Sequence, residues 1–331
     1  MREFLREIVH ALEAGTPVEL VSVLTASGST PRGAGAMMAV FPGGRSSGTI
    51  GGGNVEYEAQ KLAAELLKSG EDAQRSFRFV QGDAASLGMV CGGDVTLQFQ
   101  YLPGEDEHAV SVLRRLVELT GESTGAWLVR RFADGRVMDM EALPAADSIH
   151  SELSPLMKER PVLTENGWFA IPVVRPGKVY IFGGGHVSQA LVPVLASVGF
   201  RPVVYDDRPE FADPALFPAA VGTFCGPFTA LSEQVALTAD DYVVIMTRGH
   251  QADYEVLAQT LRSGAKYLGC IGSKKKLALC RDRLLAAGFT AEEYARVHAP
   301  IGLAIGAETP AEIAVSVAAE LIAVRAGKDE R

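Results

Sequence analysis

The spacing of apolar residues alternates along this chain between a helical and a strand-like period. Residues 1–15 have apolar side chains at helical spacing with charges between them, which predicts an amphipathic helix. Residues 17–25 and 36–41 are rich in β-branched or apolar side chains and predict two strands. The same criteria predict helices over 54–68 and 108–119, and strands near 76–80, 95–101, 126–131 and 168–174. Residues 143–165 combine several prolines with mixed polarity and are interpreted as a long irregular connection.

In the second half of the chain, short apolar runs alternate with helical segments. Strands are predicted near 178–182, 202–205, 220–224, 241–246 and 267–271. A helix is predicted over 187–198, and the last helix has a strong start at Thr309-Pro310-Ala311-Glu312. Such alternation is typical of an open parallel α/β sheet. We therefore expect two domains, a mixed α/β domain over 1–175 and a Rossmann-like, doubly wound domain over 176–331.

Composition and charge narrow the class of protein. The chain has 331 residues, 47% of them hydrophobic, and a net charge of −9, which repels phosphate backbones and disfavours nucleic acid as a partner. Its apolar runs are far shorter than the ~20 residues that span a bilayer, so no membrane segment is expected. The four cysteines lack CxxC spacing, which indicates neither a zinc module nor a disulfide framework and favours a reducing cytoplasm.

A glycine run between a predicted strand and a predicted helix is the main candidate for ligand binding. The run is Gly183-Gly184-Gly185-His186, and Ser188 takes the third position of a GxGxxG-like pattern. Such a loop lets a pyrophosphate approach the backbone at a helix N-terminus. Asp206 and Asp207 follow the next strand, where a carboxylate would contact ribose hydroxyls. Together these features predict binding of a nucleotide or a similar ligand.

Three histidines, His186, His250 and His298, come at the ends of predicted strands in this half. Because the carboxyl ends of parallel strands line the ligand crevice, we expect a shared cleft in which imidazoles bind a metal or donate protons to an oxyanion. Ser273 opens another strand-to-helix junction and precedes three lysines at 274–276. That combination suits phosphate, and it is equally typical of a solvated helix face.

Loops of the first half have chemistry that also suits an anionic ligand or a metal. Thr30 and Arg32 provide a hydroxyl and a guanidinium, which can grip a phosphate or a carboxylate. Gly51-Gly52-Gly53 provides backbone N–H groups at the start of the helix that carries Glu56. Cys91-Gly92-Gly93 places a thiol in a flexible loop, where soft sulfur is able to reach a soft metal.

Together, these segments resemble the xanthine dehydrogenase accessory factor family (XdhC/CoxI). Each motif is weak alone, but the ordered set spans nearly the whole chain and is specific. The matching segments are Gly28-Ser29-Thr30-Pro31-Arg32, Gly48-Thr49-Ile50-Gly51-Gly52-Gly53 with Glu56, Cys91-Gly92-Gly93, Phe182-Gly183-Gly184-Gly185-His186, Thr247-Arg248-Gly249-His250, Ile271-Gly272-Ser273, Val297-His298-Ala299-Pro300-Ile301-Gly302-Leu303 and Gly306-Ala307-Glu308-Thr309-Pro310-Ala311-Glu312-Ile313. Where the family often has Thr-His-Asp-His, this chain has Arg248 and Gly249, which weakens a metal site and adds a cation for an anionic ligand.

The resemblance implies a molybdenum cofactor chaperone without turnover of its own. Such proteins bind the mature pyranopterin cofactor, support its sulfuration by a cysteine desulfurase, and insert it into a molybdenum hydroxylase of the xanthine dehydrogenase type. A homodimer is expected by the same analogy. The Rossmann half would hold the phosphate or nucleotide end of the cofactor, and Cys91 would contact the molybdenum. The implied cofactor-binding residues are Ser29, Thr30, Arg32, Gly51, Gly52, Gly53, Glu56, Cys91, Gly92, Gly183, Gly185, His186, Asp206, Asp207, His250, Ser273 and His298.

Two other functions stay open on the sequence alone. One is an NAD(P)-dependent oxidoreductase that uses the Rossmann domain, with His250 or His298 relaying a proton. Against it, the first half contains no persuasive catalytic acid–base pair. The other is a phosphate-sensing or nucleotide-regulated module, which predicts binding of AMP or ADP and indifference to Cys91→Ala.

Overall fold

The computed structural model describes residues 1–28, 30, 32–79, 93–121, 125–145 and 153–328. Over these residues the chain divides into two compact units, Met1–Arg175 and Pro176–Arg331. No helix within the described ranges is long and apolar enough to cross a membrane.

Within its described residues, the N-terminal unit combines three α-helices with two antiparallel sheets. Its helices are α1 (Arg2–Glu13), α2 (Gly53–Ser69) and α3 (Glu107–Leu119). Its strands are β1 (Val18–Gly28), β2 (Met37–Val40), β3 (Ser46–Gly48), β4 (Ala73–Phe79), β5 (Gly93–Leu102), β6 (Ala126–Ala133), β7 (Arg136–Pro144), β8 (Val162–Leu163) and β9 (Trp168–Val174). One sheet has the order β3-β2-β1-β5-β4 and the other the order β7-β6-β9-β8.

Alternation along β1 gives the five-stranded sheet two buried faces. Val18 and Leu20 belong to a core that includes α1, α3 and strands of both sheets. Val21 and Val23 lie on the opposite face and pack with the buried side of α2. Glu19 shares that face, is fully buried, and has no hydrogen-bond partner on either carboxylate oxygen in the described structure. Burial, reinforced by the nearby charge of Asp72, raises the pKa of Glu19 to about 9.

The prediction of an irregular connection over 143–165 is wrong near both ends of this range, where the structure has strands. β7 runs through Pro144 and pairs with β6, and the short strand β8 pairs with β9. β7 is the edge strand of its sheet, and many of its side chains are exposed or half-buried. A half-exposed edge strand tolerates charged residues, so its sequence lacks the apolar alternation that identifies a strand.

The C-terminal unit confirms the predicted parallel α/β sheet. Its strands are β10 (Val179–Phe182), β11 (Pro202–Asp206), β12 (Gly222–Cys225), β13 (Tyr242–Ile245), β14 (Tyr267–Cys270) and β15 (Val297–His298). Its helices are α4 (His186–Ser197), α5 (His250–Thr260), α6 (Lys274–Ala286), α7 (Ala291–Ala295) and α8 (Pro310–Arg325). One face of the sheet packs with α5 and α6, and the other with α4 and α8.

The strand order of this sheet defines where a ligand crevice lies. The order is β12-β11-β10-β13-β14-β15, with all pairs parallel. In chain order this is the 3-2-1-4-5-6 arrangement of a Rossmann fold. The direction of strand addition reverses between β10 and β13, so the crevice opens at their carboxyl ends.

Candidate cofactor-binding site

The loop between β10 and α4 approaches other backbone segments so closely that two of its glycines leave no room for a side chain. Gly183 has φ +108°, and a Cβ there would lie 2.3 Å from the carbonyl oxygen of Met246. A Cβ on Gly184 would lie 1.9 Å from the carbonyl oxygen of Phe211. Ser188, in the third position of the glycine pattern, is buried and donates its hydroxyl to the Gly183 carbonyl. The first two glycines therefore serve close packing of the loop.

Gly185 differs from the two glycines before it. A Cβ there would meet no other described atom within 4 Å, and the residue is the N-cap of α4. His186, the first residue of α4, is exposed. The open side of the loop therefore lies at Gly185 and His186, beside the amides that begin the helix.

Asp206, predicted to contact a ribose, is committed to contacts inside the protein. Its side chain is 1% exposed. It accepts hydrogen bonds from the Gly184 N–H at 2.7 Å and from the Arg208 N–H, Nε and Nη2 at 3.0, 2.9 and 3.0 Å. Burial would raise its pKa, but the hydrogen bonds from Arg208 and Gly184 hold the pKa of Asp206 below its usual range. In this geometry the carboxylate positions the glycine loop, and a ribose contact would require breaking those bonds.

Asp207 is the carboxylate of the pair that reaches the surface. Its side chain is 31% exposed and lies 3.6 Å from Arg208 Nε and 3.6 Å from Arg248 Nη2. Arg208 is itself held by Asp206 and by the ring of Phe211, 3.6 Å from its guanidinium carbon. Arg248 is 63% exposed. The crevice is thus bordered by one accessible carboxylate and one accessible guanidinium.

The turn that carries Arg248 is held by Asp253, a residue that sequence analysis missed. Asp253 is buried in α5, and its Oδ1 accepts from the Thr247 hydroxyl at 2.5 Å and from the Thr247 N–H at 3.2 Å. Its Oδ2 pairs with Lys276 Nζ at 2.6 Å. The sequence signal for Asp253 is an acidic residue in the first turn of the helix that begins at His250.

The ion pair with Asp253 also changes the interpretation of the lysine run. Lys276 is engaged inside the fold, whereas Lys274 and Lys275 are exposed. Ser273 is the N-cap of α6 and accepts a hydrogen bond from the Lys276 N–H at 3.3 Å. The loop after β13 and the start of α6 are therefore joined through one buried carboxylate.

The three histidines have different surroundings. His186 and His250 are exposed first residues of α4 and α5. His298 lies within β15 and is buried, with its ring 4.5 Å from that of Tyr267 and Nδ1 3.2 Å from Glu320 Oε1. Glu320 also accepts from the Tyr267 hydroxyl at 2.5 Å and the Gly302 N–H at 2.7 Å. No group of three or more histidine, cysteine or acidic side chains suited to a metal occurs among the described residues.

The glycine loop of the N-terminal unit holds a carboxylate of its own. Gly51, Gly52 and Gly53 all have positive φ angles, of 134°, 74° and 65°. Glu56 Oε2 accepts from the Thr49 hydroxyl at 2.5 Å and from the Ile50 and Gly52 N–H groups at 2.9 Å each. Burial opposes ionisation, yet these bonds lower the pKa of Glu56. The anion that this loop binds in the described structure is therefore its own glutamate.

The other predicted residues of this unit are only partly described. Thr30 is half-buried, and its N–H donates to the Gly28 carbonyl at 3.1 Å. Arg32 is exposed. Ser29, Cys91 and Gly92 lie outside the described residues. Of the described cysteines, Cys225 is exposed while Cys270 and Cys280 are buried.

Fold and site define a class: a two-unit protein whose C-terminal unit is a Rossmann domain with a charged crevice at the switch point. The family models narrow this class. A model described as the XdhC Rossmann domain matches residues 179–321, and one described as the XdhC and CoxI family matches residues 11–78. The two segments together make up well over half of the chain. The chain belongs to the XdhC and CoxI family.

Individual relatives resemble the chain along most of its length. It is 26% identical over 334 residues to the "Molybdenum cofactor insertion chaperone PaoD" of Escherichia coli, covering 99% of this chain and 90% of that protein. It is 25% identical over 322 residues to a Bacillus subtilis protein described as a probable xanthine dehydrogenase subunit, covering 95% of each. A 27% identical "Uncharacterized protein YqeB" of Escherichia coli is longer: the match covers 95% of this chain but 44% of that protein.

A solved structure is similar to this chain along nearly its whole length. It is a crystal structure described as a xanthine dehydrogenase from Bacillus halodurans, 25% identical, with a TM-score of 0.75. The match covers 98% of this chain and 97% of that one.

Proposed function

We propose that this protein binds the molybdenum cofactor as a maturation factor and delivers it to a molybdenum hydroxylase of the xanthine dehydrogenase type. Family membership supports an accessory role, and the name of the PaoD relative supports the molybdenum cofactor as the ligand. The names of the relatives from the two Bacillus species supply the class of partner enzyme. In this proposal the protein is not itself an enzyme, forms a homodimer, and supports sulfuration of the cofactor by a cysteine desulfurase.

The observation that carries the proposal is the open side of the β10–α4 loop. Close packing holds Gly183 and Gly184, and Asp206 fixes the Gly184 amide, so the loop is organised before any ligand arrives. Gly185 leaves open space at the start of α4, where helix amides favour an anion. The exposed side chains of His186, Arg248 and His250 border the same sheet edge. This donor set fits the anionic phosphate end of the cofactor.

The same geometry argues against the NAD(P)-dependent oxidoreductase. A dinucleotide enzyme needs an available carboxylate for its ribose. Asp206, which comes where that carboxylate is expected, is buried and already accepts four hydrogen bonds. His298, one of its two candidate proton relays, is buried beside Glu320.

Binding of mature cofactor to the purified full chain under anaerobic conditions tests the proposal. Molybdenum cofactor should bind, and NADPH, AMP and CTP should compete poorly. Cys91→Ala should weaken retention of the cofactor, because Cys91 is the proposed contact for molybdenum. Cys225→Ala is the matched control, since it removes an exposed thiol from the other unit. Failure to bind the cofactor alongside tight NADPH binding would reject the proposal in favour of the oxidoreductase.

A further inference from the structure

The charges at the mouth of the crevice form a short chain, Arg208–Asp207–Arg248. Each oxygen of Asp207 faces one guanidinium: Oδ1 lies 3.6 Å from Arg208 Nε, and Oδ2 lies 3.6 Å from Arg248 Nη2. Both distances exceed a normal hydrogen bond. Asp207 is therefore held by charge attraction without a short directional contact to either arginine.

The two arginines differ in their freedom to turn toward a ligand. Arg208 donates Nε and Nη2 to the buried Asp206 and stacks on Phe211. Arg248 is 63% exposed, and its described ion pair is the long contact to Asp207. The guanidinium that can change partner is that of Arg248.

The backbone beneath Arg248 is fixed although its side chain is exposed. Thr247, the preceding residue, bonds to Asp253 through both its hydroxyl and its N–H. Its hydroxyl also lies 3.1 Å from the Gly249 carbonyl. Asp253 in turn pairs with Lys276. Because the turn is anchored on both sides of Arg248, an exchange of partners requires only rotation of that side chain.

We propose that Asp207 competes with the ligand for Arg248, so that the crevice binds a phosphate-bearing ligand through Arg248 and releases it when Arg248 returns to Asp207. This inference rests on the proposed function and deepens it. A phosphate accepts two N–H groups of a guanidinium in short, charge-assisted bonds, which the 3.6 Å contact to Asp207 does not provide. Because Asp207 draws Arg248 away from the ligand, it lowers affinity and speeds release. Release suits a protein that passes its ligand on.

The test measures affinity of the full chain for two probes, mature molybdenum cofactor and inorganic pyrophosphate. Asp207→Asn removes the competitor and should tighten binding of both probes by about threefold to tenfold at low salt. Arg248→Gln removes the guanidinium that binds the phosphate and should weaken binding of both probes by about tenfold. The double variant should bind like Arg248→Gln, because Asp207 acts through Arg248. Raising the salt concentration should shrink the gain from Asp207→Asn, since the pair is solvent-accessible.

Matched controls remove the same charges elsewhere on the unit. Asp282→Asn and Arg281→Gln alter exposed positions of α6 and should leave both affinities within about twofold of wild type. The competition is overturned if Asp207→Asn binds no tighter than wild type, or if it tightens binding equally in the Arg248→Gln background. The two proposals fail separately. Wild type that does not bind the cofactor refutes the proposed function, whereas the ratio between Asp207→Asn and wild type with pyrophosphate decides the competition.

Discussion

The two glycine loops of this protein look alike in sequence, and each is held by a carboxylate from its own unit. In the N-terminal loop, Glu56 reaches back from the first turn of α2 and takes the Ile50 and Gly52 amides together with the Thr49 hydroxyl. In the C-terminal loop, Asp206 comes from the neighbouring strand and takes one loop amide, that of Gly184. The remaining bonds of Asp206 go to Arg208.

The N-terminal loop therefore has its amides occupied by its own glutamate, whereas the C-terminal loop keeps one side open to a ligand. Glu56 uses amides that face an anion site, so it stands where a ligand anion would stand. Asp206 braces its loop from one side and leaves the Gly185 side open at the helix start. A glycine-rich turn before a helix therefore predicts backbone geometry, and the placement of the nearest carboxylate decides whether the turn can bind a ligand.

The largest expected effect comes from filling the packed side of the C-terminal loop. Gly184→Ala would place a Cβ 1.9 Å from the Phe211 carbonyl oxygen. Because this oxygen belongs to the backbone, the clash can be relieved only by displacing the chain. We expect the unfolding free energy of this unit to fall by about 3 kcal/mol or more. Gly185→Ala is the control, because its φ of −71° and its open surroundings accept a methyl group. Urea denaturation measures both, and similar losses in the two variants would contradict the assignment of a packed and an open side.

Asp206→Asn should have the next largest effect, because it removes the charge that Arg208 and Gly184 share. We expect a loss of about 2 kcal/mol at neutral pH, since hydrogen bonds to a buried charge are strong. The pKa of Asp206 is lowered in the folded state, so its stabilisation is present above the usual aspartate pKa and is lost as pH falls through the lowered value. Asp207→Asn, which removes the neighbouring half-exposed charge, should cost less than about 1 kcal/mol. Equal costs at neutral pH would show that Asp206 does not brace the loop.

Glu56→Gln should destabilise the N-terminal unit by about 1–2 kcal/mol, because the three donors of its loop lose a charged acceptor. The pKa of Glu56 is lowered, so wild type should lose this stabilisation at acid pH while the variant should not. Glu58→Gln, which breaks a surface pair with Lys61 on the same helix, should change stability by less than about 0.5 kcal/mol. Thermal melting between pH 3 and 7 distinguishes the two, and parallel acid profiles of wild type and Glu56→Gln would argue against the built-in anion.

Glu19 is the contrasting carboxylate, buried without a hydrogen bond to either carboxylate oxygen, and its removal should cost the least stability of the changes in this series. Its pKa of about 9 exceeds the ordinary value of 4.5, so its contribution to stability is complete below pH 4.5 and is lost as pH rises toward 9. Glu19→Gln should therefore be close to wild type in stability at pH 4 and more stable than wild type at pH 9, by at least about 1 kcal/mol. Chemical denaturation at these two pH values is the measurement. A variant less stable than wild type at pH 9 would mean that Glu19 is ionised and paired.

Much of the secondary structure follows from local pattern. The strand predicted over 168–174 is β9, Trp168–Val174, and the strand predicted over 178–182 differs from β10 by one residue. Both strands are apolar and mostly buried, so a run of apolar residues in the sequence is enough to identify them. β7 escaped prediction because an edge strand is defined by its pairing partner.

The sequence predicted which loops form the candidate site. It did not predict which polar side chains of those loops are available to contact a ligand. Strand-to-helix junctions with glycine or serine are local features, which is why residues 183–186 and Ser273 could be found from the sequence. Lys276 lies 23 residues after its partner Asp253, and Glu320 lies 22 residues after its partner His298, so no local pattern reveals these contacts.

The sequence by itself determined the family, the parallel sheet of the second half and the places where its loops turn, because periodicity, glycine and caps act over a few residues. The tertiary structure alone decided which polar groups those loops leave available. Asp206 and Asp207 are neighbours in the chain, yet Asp206 is buried and fully engaged while Asp207 reaches the surface. Asp206 is the last residue of β11 and accepts from Gly184 and Arg208, whereas Asp207 follows the strand. Availability depends on long-range contacts between elements, and only the folded arrangement of those elements provides them.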